Sequence, residues 1–260
     1  MVVLALLFNF VFWYVTLAHP QFGKRQLLQY NSTVIDCSQF NRQEYQHTCV
    51  MAPEAIEGPY FIDEDLYRKN ITEGKRGIPM DLHLVFTNAK ICFPLHEAKV
   101  YVWSCDSRGY YSGYTRFNPD SPPPSEDKPP VGDSERFLRG VQRTNLFGKV
   151  SFESIIPGFY YGRAVHVHVE VHIHGKVVHI AQLYFDEKLL ENVENTPEYS
   201  EGRKVNRTKN EEDLYYTRDN GKDSIVNTKV TCKDGKIERI EASMTLGIDP
   251  DHERIPIYEF

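Results

Sequence analysis

The sequence predicts an all-β protein, an antiparallel β-sandwich with long loops. Three observations carry this: apolar and polar residues alternate over short runs, turn-forming residues separate successive runs, and helical periodicity is confined to one short stretch. The first run, Asp81 to Thr87, puts Leu82, Leu84 and Phe86 on one face. Lys99 to Cys105 and Lys149 to Glu153 repeat the pattern. Val165 to Ile173 and Val177 to Phe185 follow, joined through His174 and Gly175, a hairpin signal. Glu187 to Val193 reads as a short helix. A last pair, Ile225 to Thr231 and Ile237 to Leu246, is connected by a turn containing Asp234 and Gly235.

Two stretches resist assignment to strand or helix. Asn118 to Glu135 contains SPPPSEDKPP, too proline-rich for either, and is expected to run extended over the surface. Residues 195–224 are charged and nearly free of aliphatics, which reads as a solvated loop. No internal repeat is found.

Residues 1–18, MVVLALLFNFVFWYVTLA, carry no charge, precede polar sequence and end in small residues, as a secretory signal peptide does, although a basic start is missing. A membrane anchor is the competing reading, disfavoured by the shortness of the run and by Asn9. After cleavage about 240 residues remain, enough for one large β unit, assigned to 49–249, with a poorly defined segment at 19–48 and a tail at 250–260. The net charge of −6 comes with no basic stripe, so nucleic acid is not expected as a partner, nor is a membrane after cleavage. Sequons at Asn31, Asn70 and Asn206 agree with a secreted, extracellular protein.

The five cysteines, Cys37, Cys49, Cys92, Cys105 and Cys232, show no C-x-x-C spacing, which leaves a zinc-ribbon reading without support. Outside the cell one or two disulfides are expected, with at least one thiol left over or pairing between chains. Cys49 to Cys92 is the expected link, because both flank segments that should be fixed near the core. Closing a loop of that length contributes ~4 kcal/mol in the chain-entropy model.

The chemistry concentrates at residues 157–168, Pro-Gly-Phe-Tyr-Tyr-Gly-Arg-Ala-Val-His-Val-His. On a strand His166 and His168 project from one face about 7 Å apart, close enough for one metal ion to sit between them. His172 and His174 share their parity but sit at the turn end, and read as polar residues of an exposed hairpin. Gly109-Tyr110-Tyr111 and Pro157-Gly158-Phe159-Tyr160 place tyrosines near turns, where packing is the commoner role. Taken with the histidines they suggest an N2O2 site, whose phenolates would favour a hard trivalent cation such as Fe(III). The His-x-His pair also suits a zinc or copper hydrolase or oxidase, and a secreted β-sandwich that carries aromatic ligands would need no metal.

Five strings together resemble the intradiol ring-cleavage dioxygenases, of the secreted single-domain type found in fungi and some arthropods. They are CVMAPEAIEGPYF (Cys49 to Phe61), KVYVWSCDSRGYYSG (Lys99 to Gly113), FLRGVQRTNLFGKVSF (Phe137 to Phe152), PGFYYGRAVHVHVEVH (Pro157 to His172) and AQLYFDE (Ala181 to Glu187). The resemblance implies one non-haem Fe(III) per chain, held by Tyr111, Tyr160, His166 and His168 with a hydroxide. Tyr160 and His168 would be axial, Tyr111 and His166 equatorial. It further implies Arg163 as an active-site cation, Gln182 near the oxygen-binding side, and Pro59 as a wall of the substrate pocket.

The implied reaction opens a catechol with O2 between its two hydroxylated carbons, giving a muconate-type diacid. Ser104, Ser107, Tyr101 and Asn145 depart from residues common in the family, which weakens inference about substrate preference. The helical segment through which bacterial catechol dioxygenases dimerise has no counterpart, so that dimer is not expected and a monomer is compatible with the sequence.

Overall fold

Leu82, Leu84 and Phe86 point from one face of a strand and are almost fully buried, while Asp81 and His83 on the opposite face are not. That alternation recurs through a computed structural model that describes residues 37–43, 50–123 and 128–255. Residues 1–36 lie outside the described residues, and with them the expected signal peptide. Among the described residues no helix is long and apolar enough to cross a membrane.

The strands are β1 (Pro79–Asn88), β2 (Phe93–Pro94), β3 (Lys99–Trp103), β4 (Arg139–Arg143), β5 (Lys149–Ile155), β6 (His166–Ile173), β7 (Lys176–Tyr184), β8 (Asn227–Lys233) and β9 (Lys236–Ile248). Short helices α1 (Glu187–Val193), α2 (Pro197–Ser200) and α3 (Leu214–Arg218) lie between β7 and β8. One sheet runs β2-β1-β9-β8 with β5 also on β1, and the other runs β4-β3-β6-β7. Val100, Val102, Val167, Val169 and Leu183 of the second sheet meet Leu82, Phe86, Phe152 and Leu246 of the first in one apolar core. The sandwich is as expected.

Several details differ from expectation. The pairing of β1 with β9 is parallel, so the sandwich is not purely antiparallel. β4 is not legible in the sequence, because RGVQR lacks alternation. Its Gly140 is required by packing, since a Cβ there would lie 2.4 Å from Ile71 Cγ2. Residues 195–224 are no simple solvated loop: they contain α2 and α3, with Tyr199, Tyr215 and Tyr216 buried.

Cys37 and Cys232 form a disulfide with 6.0 Å between Cα atoms, tying the segment before β1 to β8. Cys92 is disulfide-bonded, and Cys49, its expected partner, lies outside the described residues. Cys105 is free and buried, and burial pushes its thiol well above the usual range.

Candidate metal centre

Both faces of β6 are buried, which is why HVHVEV alternates between two kinds of buried residue. Valines face the core, whereas His166, His168 and Glu170 face outward beneath the segments around residues 55–63 and 105–117. Ala55 N donates to Ile180 O at 2.9 Å, anchoring the first of these segments on β7. A second cluster, with Tyr60, Phe61, Trp103, Cys105, Tyr111 and Tyr114, fills the space beneath. His168 stacks on Trp103, ring centroids 4.7 Å apart and planes 6° apart.

The two tyrosine turns are locked against each other by their glycines. A Cβ on Gly109 (φ +90°) would lie 2.3 Å from Phe159 O, and one on Gly158 would lie 2.3 Å from Ser107 O. Gly109 N and Gly158 N both donate to Asp106 O, at 2.9 and 3.0 Å. The Gly-x-Tyr and Pro-Gly-x-Tyr elements are thus a backbone clasp that brings the Tyr111 and Tyr160 rings to 5.6 Å. Tyr111 is buried, and Tyr110 turns away to a groove beside Arg108 and Arg203.

Four donor atoms converge. His166 Nε2 lies 3.0 Å from His168 Nε2, 3.3 Å from the Tyr160 hydroxyl and 3.5 Å from the Tyr111 hydroxyl. His166 Nδ1 donates to Ala164 O at 2.7 Å, which fixes the tautomer and leaves the Nε2 lone pair free. His168 Nδ1 has no hydrogen-bond partner. Burial, reinforced by nearby Arg163, pushes His166 down to about 3. Burial and then His166 push His168 well below the usual imidazole range. Both rings are therefore neutral, as metal ligands must be.

Burial likewise raises both phenols, so a phenolate here calls for a cation beside it. Among the described residues no three His, Cys, Asp or Glu side chains gather to hold a metal. A centre built here therefore depends on the tyrosines. Two imidazole nitrogens and two phenol oxygens facing one point fit a hard trivalent ion such as Fe(III).

Arg163 sits beside this point. Its Nη1 lies 3.5 Å from the Tyr160 hydroxyl, Nη2 donates to Gln182 Oε1, and Nε donates to Asp213 Oδ2 at 3.0 Å. Burial opposes its charge, but Tyr160 and Asp213 outweigh that and hold its pKa above the ordinary value. Gln182 Nε2 donates to Ile56 O at 3.0 Å, and the Tyr184 hydroxyl donates to Gln182 Oε1 at 3.0 Å. Pro59 is buried, and its neighbour Tyr60 is the residue of that segment that lines the cleft at the site. Tyr114 and Phe117 extend the wall beyond Tyr111 and Tyr160, and Asn118, Pro119 and Ser121 to Pro123, the start of the proline-rich stretch expected to run over the surface, line it too.

The fold is shared with solved structures. An intradiol ring-cleavage dioxygenase from Tetranychus urticae superposes with a TM-score of 0.73 at 37% identity, covering 81% of this chain and 100% of that one. A second solved dioxygenase gives 0.71 at 39% identity, covering 79% and 98%. The chain belongs to the intradiol ring-cleavage dioxygenase family. The dioxygenase domain of a carbohydrate-binding fusion from Streptomyces sp. SirexAA-E, at 21% identity and TM-score 0.54, shares the fold, with 77% of this chain and 99% of that one covered. No family model and no curated protein sequence matches the chain.

For a member of this family, several supporting residues escape sequence reasoning. Asp213 lies in the stretch that looks solvated. Glu57 and Glu170 are buried side by side; burial pushes both carboxyls up, and for Glu57 the charge of Glu170 adds to the rise. His172, expected on an exposed hairpin, is half-buried and hydrogen-bonds Glu170 at 2.5 Å; His174 is exposed. Tyr60 was within reach of sequence reasoning, because it stands in the EGPYF string.

Proposed function

We propose that this dioxygenase binds one non-haem Fe(III) through Tyr111, Tyr160, His166 and His168. It would cleave catechol-type substrates with O2 between the hydroxylated carbons, giving a muconate-type diacid. The observation that supports this most is the meeting of two neutral imidazole nitrogens and two phenol oxygens around His166 Nε2, at 3.0 to 3.5 Å. Bound there, ferric iron would withdraw electron density from a catecholate and make its ring reactive toward O2.

The chain's own residues supply the rest. Two phenolates and a hydroxide would offset a ferric charge, which suits a buried site where net charge is costly. Tyr160 is half-buried and Tyr111 buried, so the Tyr160 oxygen would be the one of the two that can take a catechol proton. Arg163 Nη1, beside that oxygen, stabilises negative charge as it grows on the ring. Tyr60, Tyr114 and Phe117 offer aromatic faces for a flat substrate.

A secretory route is part of the proposal. Its supports are residues 1–18, the Cys37–Cys232 disulfide, and exposed sequons at Asn70 and Asn206. The test of the activity is oxygen uptake with catechol under 18O2. The proposal expects a muconate-type diacid carrying both labelled atoms, and no uptake by iron-loaded protein over a panel of substituted catechols would reject it.

A further inference from the structure

Asp213 is fully buried, and all four hydrogen bonds to its carboxylate come from residues around the site. Oδ2 accepts from Arg163 Nε at 3.0 Å and from Ala164 N at 2.7 Å. Oδ1 accepts from Tyr215 N at 2.8 Å and Tyr216 N at 3.3 Å, capping α3. The two oxygens therefore have separate tasks. Helix capping needs only the first-turn acceptor, so the Oδ2 contacts call for a different explanation.

The Arg163 guanidinium is held at two of its three nitrogens, Nε by Asp213 and Nη2 by Gln182. Two fixed nitrogens fix the plane, and Nη1 is then directed at the Tyr160 hydroxyl. The Tyr215 ring lies 4.5 Å from the same guanidinium, which packs α3 against it. On the other branch, Ala164 N is held by Asp213 while Ala164 O receives His166 Nδ1. One carboxylate thus reaches both the cation beside Tyr160 and the backbone unit that sets the His166 tautomer. A further link runs through Tyr216, which packs edge-on to Tyr184 at 5.0 Å, whose hydroxyl meets Gln182.

We propose that Asp213 is a positioning residue of the ring-cleavage reaction: its Oδ2 aims Arg163 Nη1 at the Tyr160 oxygen and, through Ala164, steadies His166. The inference rests on the ligand set and reaction proposed above. It makes α3 a working part of the site, acting through Arg163 without touching substrate.

The test uses the iron-loaded full chain with Asp213→Asn and Asp213→Ser. Both variants keep an acceptor for the α3 cap and lose the anionic Oδ2. Iron per chain should be unchanged, whereas kcat on catechol should fall by about 10- to 100-fold, the range seen when partners behind a metal site are removed. KM should move less. The visible ferric-phenolate band should shift, because Arg163 Nη1 no longer sits beside Tyr160. In an Arg163→Ala background, Asp213→Asn should lower kcat by much less than it does in the wild type, since the Arg163 branch is already gone and only the Ala164 branch remains.

Wild-type kcat in either variant would overturn the proposal, as would losses that multiply in the double variant. Failure of both variants to fold would make Asp213 a residue of the fold and overturn it too. If the wild type binds iron but consumes no oxygen, the reaction assigned above fails first; the band shift, which needs only bound iron, would still report on the positioning.

Discussion

The two faces of β6 are equally buried and chemically opposite. Val167, Val169 and Val171 close the space between the sheets, while His166, His168 and Glu170 lie under the covering segments with no more than 2% of their surface exposed. Burying the valines drives folding, at ~25 cal/mol for each Å² of apolar surface removed from water. Burying imidazoles and a carboxyl costs free energy unless each finds a partner. His166 has one in Ala164 O, but His168 Nδ1 has none. The inner face thus carries stability, and the outer face carries chemistry that the fold alone would not favour.

The largest expected break in that comparison is His168→Ala. Losing an outer-shell partner already costs about 10- to 100-fold at metal sites, so losing a ligand should lower both iron retention and oxygen uptake by more than about 100-fold. Melting temperature of the iron-free protein should hardly fall. Metal analysis after dialysis checks this, and a variant that keeps iron and turnover would remove His168 from the ligand set.

Arg163→Ala should come next. Loss of one donor to developing charge typically lowers kcat by about 10²- to 10³-fold, here with iron and most of the colour retained. Steady-state oxygen consumption and iron content on one sample decide it: normal iron with near-normal turnover would deny Arg163 its catalytic role.

Val169→Ala sharpens the contrast from the other side. It should cost ~2 kcal/mol through the cavity it leaves, lowering Tm by about 4 to 8 °C, with kcat per bound iron unchanged. A change in the visible band without a change in Tm would show that the faces are not separable.

The faces also differ in how far the sequence reveals them. Val-His alternation marks β6 because both periodic sets are chemically distinct, and the Gly-x-Tyr elements mark the clasp because only glycine fits at positions 109 and 158. The parallel β1 to β9 pairing leaves no local trace, since its partners lie over 150 residues apart, as in Met80 opposite Ile240. Asp213 is invisible for a related reason. It sits among charged residues before a helix of only five residues, and its meaning comes from Arg163, 50 positions earlier.

The smallest effect lies on the outer face of the other sheet, where Arg239 Nη2 donates to Asp81 Oδ1 at 2.6 Å. The hydrogen bond from Arg239 holds the Asp81 carboxyl below its ordinary 3.8. Its contribution, under about 1 kcal/mol for so exposed a pair, is present above the unfolded pKa and lost as pH falls through the lower folded one. Asp81→Asn should therefore match the wild type at low pH and be slightly less stable at neutral pH. Urea melts at both pH values check the sign, and a variant more stable at neutral pH would reverse it.

The central claim, that the outer face of β6 and the two clasped tyrosines hold ferric iron, is tested most directly by titrating metal-free protein with Fe(III) while recording the visible spectrum. The account predicts a red-brown band that saturates at about one iron per chain, and that Phe at position 111 or 160 shifts or bleaches. A preparation that is colourless and iron-free yet fully active would contradict it.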